Sequence, residues 1–157
     1  MSATSAAIRR ETTLTEPRPR GGVRVRVPFD PVEVWGELDT YHVNGTLGGQ
    51  PYRGALEQEG ARWRMDLGPT WCRAPGFTPG DEVELVIALE GPRSTSMGDD
   101  VDAAFDAEPE ARRFFDSMPS FYRNNAARSL GQAKRPETRA KRLAAIVALA
   151  KQHKRER

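Results

Sequence analysis

The chain has one cysteine, Cys72, among its 157 residues. A single cysteine cannot form an intramolecular disulfide, and it cannot supply a thiolate cage for a metal ion. A lone thiol also agrees with a reducing compartment, where structural disulfides are rare. The sequence therefore excludes a scaffold held together by internal disulfides and a cysteine-rich zinc module.

Long apolar segments are missing as well. No run of the sequence approaches the roughly 20 apolar residues that a membrane-spanning helix requires. The first residues do not show the charged and then apolar pattern of an export signal. We therefore expect a cytoplasmic protein that does not insert into a membrane.

Residues suited to catalysis are scarce. The two histidines are His42, which falls in a predicted strand without a nucleophile motif, and His153, which lies close to the end of the sequence. Arg73 stands beside Cys72 and would favour its thiolate, but no motif places a base near it. These residues indicate a non-enzymatic protein without catalytic residues or a cofactor.

The charge is distributed unevenly. Residues 134–157, which we call the basic tail, contain nine Lys or Arg against two Glu, whereas residues 1–133 contain fifteen basic and twenty acidic residues. The net charge of +2 hides this asymmetry. The sequence is therefore that of an electrostatic dipole rather than of a uniformly cationic nucleic-acid binder.

The basic tail supplies the first candidate binding site. Several of its cations recur at spacings that place them on one helix face, and such a face could bind nucleic-acid phosphates or an acidic partner. The candidates are Lys134, Arg135, Arg139 and Arg142. A plain solvated face is the commoner outcome for such a pattern. Nucleic acid is not favoured, because residues 1–95 carry eleven basic against thirteen acidic residues.

A run of carboxylates leaves two further interpretations open. Between residues 99 and 110 the sequence has six acidic side chains, at Asp99, Asp100, Asp102, Asp106, Glu108 and Glu110. They could pair with the basic tail within the chain. They could also attract a hard cation, but they lack the glycine-turn spacing of a calcium loop, so helix capping and solubility are favoured and we predict no metal.

The first half of the chain has the period of β-strands. Val23, Val25 and Val27 alternate with arginines, and residues 62–67 alternate in the same way. Gly48 and Gly49 separate two strand-like segments and tolerate the positive φ of a tight hairpin turn. About five or six short strands with tight turns indicate a closed or partly closed barrel rather than a parallel sheet. Asp30 followed by Pro31 predicts one short helical turn among them.

Aromatic and arginine side chains in this region form the second candidate site. Rings interleaved with guanidinium groups can hold a flat or anionic ligand by stacking and bidentate hydrogen bonds. The candidates are Arg53, Trp63, Trp71 and Arg73. In a barrel of this size inward positions are normally filled by side chains, so core packing is the alternative for the rings.

After Gly91 the strand-like alternation ends, and a linker-like stretch precedes segments with a helical pattern. Asp99 or Asp100 is the expected cap of the first of these helices, and Pro136 starts the last one. In the last helix the apolar residues fall on one stripe, at Leu143, Ile146, Val147 and Ala150.

Two segments resemble known bacterial families. The barrel region, with NGTLGGQPYRGAL, WCRAPG and PGDEVELVI, resembles a bacterial domain of unknown function with an AbrB-like double-split β-barrel. The later region, with FFDSMPSFYRNNAARSLGQAKRPETRAKRLAAIVALA, is similar to the bacteriocin-protection segment of YdeI and OmpD-associated proteins. The resemblance implies protection against antimicrobial peptides or a similar stress, and it brings no catalytic residues.

The sequence and the resemblance together predict an α+β protein. Its parts are a disordered N-terminus at residues 1–7, a small double-split (AbrB-like) β-barrel at 8–92 and a helical bacteriocin-protection-like segment with the basic tail at 93–157. A monomer and a homodimer both remain open, since AbrB-like barrels are often built by two chains. An acidic partner or an anionic ligand is the kind of partner that these charges suit.

Overall fold

The computed structural model describes residues 8–19, 21–68 and 78–153. It is an α+β structure with a curled antiparallel sheet followed by helices. The chain divides into two compact units. We call Ala7–Glu37 with Tyr41–Leu89 the barrel unit, and Leu38–Thr40 with Glu90–Arg157 the helical unit.

The barrel unit contains seven described strands and one short helix. The strands are β1 (Arg9–Pro17), β2 (Val23–Val27), β3 (His42–Leu47), β4 (Gln50–Ala55), β5 (Glu57–Glu59), β6 (Arg62–Leu67) and β7 (Glu82–Leu89), and the helix is α1 (Pro31–Trp35). All pairings are antiparallel, in the order β4-β3-β7-β1-β2-β6-β5.

Strand β1 serves both halves of the sheet. Its first part pairs with β7, from Arg9 opposite Ile87 to Leu14 opposite Glu82. Its last part pairs with β2, from Thr15 opposite Val25 onward. One strand therefore joins a half built by β4, β3 and β7 to a half built by β2, β6 and β5.

The two outer strands are almost adjacent in sequence, and this curls the sheet. β4 and β5 stand at opposite ends of the strand order, yet only Leu56 separates them. The Leu56 N–H donates to the carbonyl of Tyr41 at 2.9 Å, and its side chain is buried. Because a flat sheet would hold its edges several strand widths apart, the sheet must bend into a half-barrel.

Alternation of valine and leucine with polar residues builds the inner face. Val23, Val25 and Val27 are buried between half-exposed arginines. On β7 the inward residues are likewise buried, and they are Val83, Leu85, Ile87 and Leu89. Burial of such side chains contributes about 1.5–3 kcal/mol each, which makes this face the main source of stability of the barrel unit.

The predicted turns form as expected. The Asp30 carboxylate accepts from the Val32 N–H at 3.0 Å and caps α1, which ends at Gly36 with φ of 86°. Gly48 and Gly49 join β3 to β4 with φ of 55° and 82°. Both conformations lie in the left-handed region that glycine adopts without steric cost.

The helical unit contains a 3₁₀ turn and four α-helices. They are the turn Ser94–Ser96, α2 (Asp99–Asp106), α3 (Pro109–Ser117), α4 (Ser120–Gly131) and α5 (Pro136–Lys151). The core side chains include Phe105, Phe115, Leu130, Leu143 and Ile146, and the half-buried Val147 packs against them. The apolar stripe predicted for the last helix is confirmed.

A buried arginine ties the start of the helical unit to its centre. Arg123 on α4 is 1% exposed. Its Nε donates to the carbonyl of Met118 at 2.9 Å, and its Nη1 donates to those of Glu90 at 2.7 Å and Pro92. Burial lowers the pKa of Arg123, whereas the nearby Asp116 and Glu90 charges act in the opposite direction. One guanidinium group thus donates to three backbone carbonyls.

Several expectations need correction. The described residues form seven strands rather than five or six, because the strand-like segment that follows Gly49 is divided at Leu56. β6 pairs with the second piece of that segment, β5, and also with β2. The residue at the N-cap of α2 is Gly98, and Asp99 and Asp100 lie in the first turn. The stretch predicted as a linker contains the buried Ser94.

Some predictions fall on other parts of the chain. The disordered N-terminus predicted for residues 1–7 lies outside the described residues, as do Trp71, Cys72 and Arg73. Among the helices of the described residues, none has the length and apolar character needed to cross a membrane.

Gly45 provides a test of the barrel register. It lies in β3 opposite Ile87 with φ of 154°, and a Cβ there would stand 1.8 Å from the Val86 carbonyl oxygen. We expect Gly45→Ala to lower the free energy of unfolding by about 3 kcal/mol, because backbone would have to move. Gly60→Ala is the matched control, since its φ is 62° but its Cβ would meet open space. It should cost about 1 kcal/mol. Equal losses in urea denaturation would contradict the register.

Arg123 provides a test of the helical unit. We expect Arg123→Lys to lower the free energy of unfolding by about 2–3 kcal/mol, because the donors of an ammonium group all lie on one nitrogen, whereas Arg123 reaches its carbonyls from two different nitrogens. Arg128→Lys is the control on the same helix, since Arg128 is exposed. Its effect should stay within about 0.5 kcal/mol. A tolerant Arg123→Lys protein in thermal and urea unfolding would show that the carbonyls find other partners.

Candidate functional site

The four candidate cations of the basic tail have different environments. Lys134 and Arg135 are exposed just before α5. Arg139 donates from Nε and Nη2 to the two carboxylate oxygens of Asp100, at 2.7 and 3.0 Å. It also donates to the carbonyls of Met97 and Leu130. Arg139 therefore links α5 to α2 and α4.

Arg142 makes a similar link. Its Nη1 donates to the carbonyl of Ser129, near the end of α4, at 2.6 Å. A cation at this point also complements the partial negative charge at a helix C-terminus. Arg139 and Arg142 thus serve packing within the helical unit, and the exposed part of the candidate set is Lys134 with Arg135.

The acidic segment is paired inside the same unit. Asp102 and Asp106 both accept from Nη2 of Arg112, at 2.9 and 2.8 Å. The Nζ of Lys151, in the last turn of α5, lies 3.0 Å from Oε1 of Glu108. The Glu108–Lys151 and Asp100–Arg139 pairs join the acidic segment to the basic tail, whereas Arg112 belongs to α3. Among the described residues, no group of three or more His, Cys, Asp or Glu is arranged to hold a metal ion.

A buried serine in this unit has the wrong surroundings for a nucleophile. The Ser94 hydroxyl donates to Asp116 Oδ2 at 2.7 Å and accepts from Arg112 Nη1 at 2.9 Å. The Ser94 N–H donates to Asp116 Oδ1 at 2.8 Å, and Ser94 is fully buried. Because Ser94 is fully buried and its hydroxyl is hydrogen-bonded on both sides, this network holds the 3₁₀ turn against α3.

An apolar groove opens between α3, α4 and α5. Its cavity volume is about 20 Å³, and it is lined by Phe115, Met118, Tyr122, Ala126, Ile146, Leu149 and Ala150. The ring of Phe121 stands beside it, 65% exposed, and contacts Tyr122 edge to face with 5.3 Å between centroids. We call these residues the helical groove. An exposed aromatic next to an apolar groove is typical of a surface that receives another apolar group.

The predicted ring and arginine set of the barrel is not assembled into one site by its described members. Trp63 packs edge to face on Tyr41, with 5.1 Å between centroids, in a chain of rings that continues to Trp35 and Phe29. Arg53 is exposed on β4. Trp63 is half-buried, and it also lines the charged cleft described below beside Arg62 and Arg64. Trp71 and Arg73 belong to the part of the chain that the structure does not describe.

The outer face of the barrel unit carries a charged cleft that the sequence did not reveal. Its cavity volume is about 30 Å³, and its lining consists of Arg24, Arg26, Arg62, Arg64, Glu16, Glu59 and Trp63. We call it the arginine cleft. Pairing of β2 with β6 creates it, because Arg26 lies directly opposite Arg64 and Arg24 directly opposite Asp66. The sequence predicted the alternation of side chains along β2 and β6, but it did not predict that these two strands pair.

Carboxylates interleave with these cations. Arg24 Nε donates to Asp66 at 3.0 Å, a contact that raises the pKa of Arg24, and Arg26 Nη2 donates to Glu16 at 2.8 Å. On the neighbouring β4, burial raises the pKa of Tyr52 to about 12, with smaller contributions from the charges of Asp66 and Glu57. The β4 edge thus lies within electrostatic reach of the β5 and β6 side, as the curled sheet requires.

Both units match known families. Residues 11–87 match the domain of unknown function DUF1905, and residues 96–153 match the family described as bacteriocin-protection, YdeI or OmpD-associated (OmdA). The two matches cover separate, successive segments of the chain. The DUF1905 match falls within the barrel unit, and the OmdA match covers α2 to α5 with the helical groove. A search of curated proteins gave no match.

The Asp100–Arg139 pair of the OmdA-like segment predicts a specific titration. Its hydrogen bond to Arg139 holds the pKa of Asp100 below the usual value. In Arg139→Gln we expect this pKa to rise toward that of an unpaired aspartate, as measured by NMR titration of the carboxyl carbon. Because the folded pKa is the lower one, the stabilisation is present above the unfolded value of about 4 and is lost as pH falls through the folded pKa. In Lys134→Gln the pKa of Asp100 should not move, and an unchanged pKa in Arg139→Gln would contradict the pair.

Proposed function

We propose that this chain is a non-enzymatic binding protein that protects a cell against a bacteriocin or a related stress. The main support for this proposal is the OmdA match over residues 96–153. The matched residues coincide with a folded helical unit and its open apolar groove. The proposed mechanism is capture: the protein holds the toxin by its surface, and no bond is made or broken.

The helical groove is the proposed contact surface, and its occupant is an apolar side chain of a peptide toxin. Every lining residue is apolar or aromatic, so the groove suits a hydrocarbon group better than a charged one. The exposed Phe121 can extend the contact beyond the groove. At about 25 cal/mol for each Å² of apolar surface buried, such a contact supports binding without any charged anchor.

The non-enzymatic part of the proposal rests on how the reactive groups are used. The Ser94 hydroxyl is buried and saturated by Asp116 and Arg112. The His153 ring stacks on Phe114 with 5.1 Å between centroids. In the described residues these groups are engaged in packing and hydrogen bonding, which supports a binding role over a reaction.

Three finer assignments belong to the same proposal. We assign the half-barrel to the AbrB-like double-split type, which the division of β1 between two half-sheets supports. We place the protein in the cytoplasm and expect it to act in stress resistance. Its partner is a peptide rather than a membrane.

Nucleic-acid binding through the basic tail is the weaker alternative. Two of its four proposed cations, Arg139 and Arg142, are engaged within the helical unit. That leaves Lys134 and Arg135 as the exposed pair of the set. Because two phosphate contacts give only weak affinity at physiological salt, DNA binding from this set should be slight and steeply salt-dependent.

A protection assay tests the groove. We expect expression of the chain to raise the bacteriocin concentration that a sensitive bacterium survives, and Leu149→Asp to remove most of this gain. A carboxylate in an apolar groove weakens binding of an apolar side chain by about tenfold or more. Ala148→Asp is the matched control, because Ala148 is the exposed neighbour on α5.

Unfolding midpoints of both variants separate a lost contact from a lost fold. If the wild-type chain protects against none of the bacteriocins tested, the protective role is wrong. If Leu149→Asp and Ala148→Asp protect equally well while both remain folded, the role survives but the helical groove is not the contact surface.

A further inference from the structure

We propose that the arginine cleft of the barrel unit binds a phosphate group, either free or at the end of a small phosphomonoester. The cleft lies on the β2, β5 and β6 face of the sheet. The protective role was assigned to the helical unit, so the two proposals stand or fall separately.

Two arginines of the cleft lie at directly opposed positions on neighbouring strands. They are Arg26 and Arg64, and Cβ atoms at such positions lie about 5 Å apart. Like charges at such positions repel each other unless an anion lies between them. Arg62 follows on the same face of β6, two residues from Arg64. Arg26 is paired with Glu16, and Arg64 with Glu57, Glu59 and Asp66, so an oxyanion at this point would add a partner chiefly for Arg62.

One carboxylate already occupies the place that an oxyanion would take. Glu59 Oε2 accepts from Nη1 of Arg64 and lies 3.4 Å from Nη1 of Arg24. Its side chain is 65% exposed, and it belongs to the three-residue edge strand β5. An exposed side chain on a short edge strand loses little when it swings into solvent. We interpret Glu59 as an internal anion that a dianionic phosphate can displace.

The guanidinium N–H groups of Arg62 are the donors that we assign to the incoming phosphate. It lies directly opposite Glu59, but the carboxylate oxygen of Glu59 is engaged by other arginines. Within the described residues Arg62 makes no ion pair, and it is exposed at the rim of the cleft. A guanidinium fork matches two oxygens of a phosphate, so this side chain is suited to the incoming group.

The size of the cleft narrows the ligand class. Its cavity volume is about 30 Å³, so it admits one small group and not a chain. The ligand class that fits is therefore a single compact phosphate rather than a polyanion.

Calorimetric titration of the full chain at constant ionic strength tests this site, with inorganic phosphate and phenyl phosphate as probes. We expect saturable binding, weakened about tenfold in Arg62→Gln because a charge-assisted contact is lost. We expect tighter binding in Glu59→Gln, because the internal competitor becomes neutral. Arg135→Gln is the control for removal of one positive charge outside the barrel unit, and it should bind as the wild type does.

The outcomes are distinct. Equal affinity for the two probes assigns the site to free phosphate, and tighter binding of phenyl phosphate assigns it to a phosphomonoester. Absence of saturable binding overturns the proposal, as does a Glu59→Gln protein that binds no more tightly. Equal weakening by Arg62→Gln and Arg135→Gln would show a non-specific charge effect and would also overturn it. Near-ultraviolet circular dichroism checks that each variant keeps its fold. Arg62→Lys keeps the positive charge but lacks the guanidinium fork, so its affinity should lie between those of the wild type and of Arg62→Gln.

Discussion

A single residue, Leu56, connects the two edge strands of the sheet, and the shape of the barrel unit depends on this short connection. β4 and β5 end the strand order on opposite sides but are neighbours in sequence. The sheet can satisfy both pairings only by curling. Curling gives the valines and leucines of β2 and β7 an inside to be buried in, and it turns the arginines of β2 and β6 to the outer face.

In the helical unit, arginine side chains mainly hold the helices to one another. Arg139 and Arg142 join α5 to the preceding helices, Arg112 holds two aspartates of α2, and Arg123 organises buried carbonyls at its core. A guanidinium group with several fixed donors suits this work better than an ammonium group. The consequence for function is that two of the four candidate cations of the basic tail, Arg139 and Arg142, serve packing within the unit, and the apolar groove becomes the more distinctive surface.

The two units therefore offer surfaces of different chemistry. The helical groove is lined by apolar and aromatic side chains, and the arginine cleft by guanidinium and carboxylate groups. A peptide side chain suits the first and a compact oxyanion the second. A two-domain composition in which each part brings its own surface agrees with the separate family matches of residues 11–87 and 96–153.

Local patterns in the sequence determined much of the secondary structure. The alternation of Val23, Val25 and Val27, the Gly48–Gly49 turn and the Asp30 cap each depend on neighbouring residues, and each formed as predicted. The apolar stripe of α5 did so as well. Tertiary structure decided which strands pair and which charges meet, because those contacts join residues far apart in the chain. The β2–β6 pairing that opposes Arg26 to Arg64, and the burial of Arg123 among carbonyls, have no local signature, since a short sequence window contains only one side of each contact.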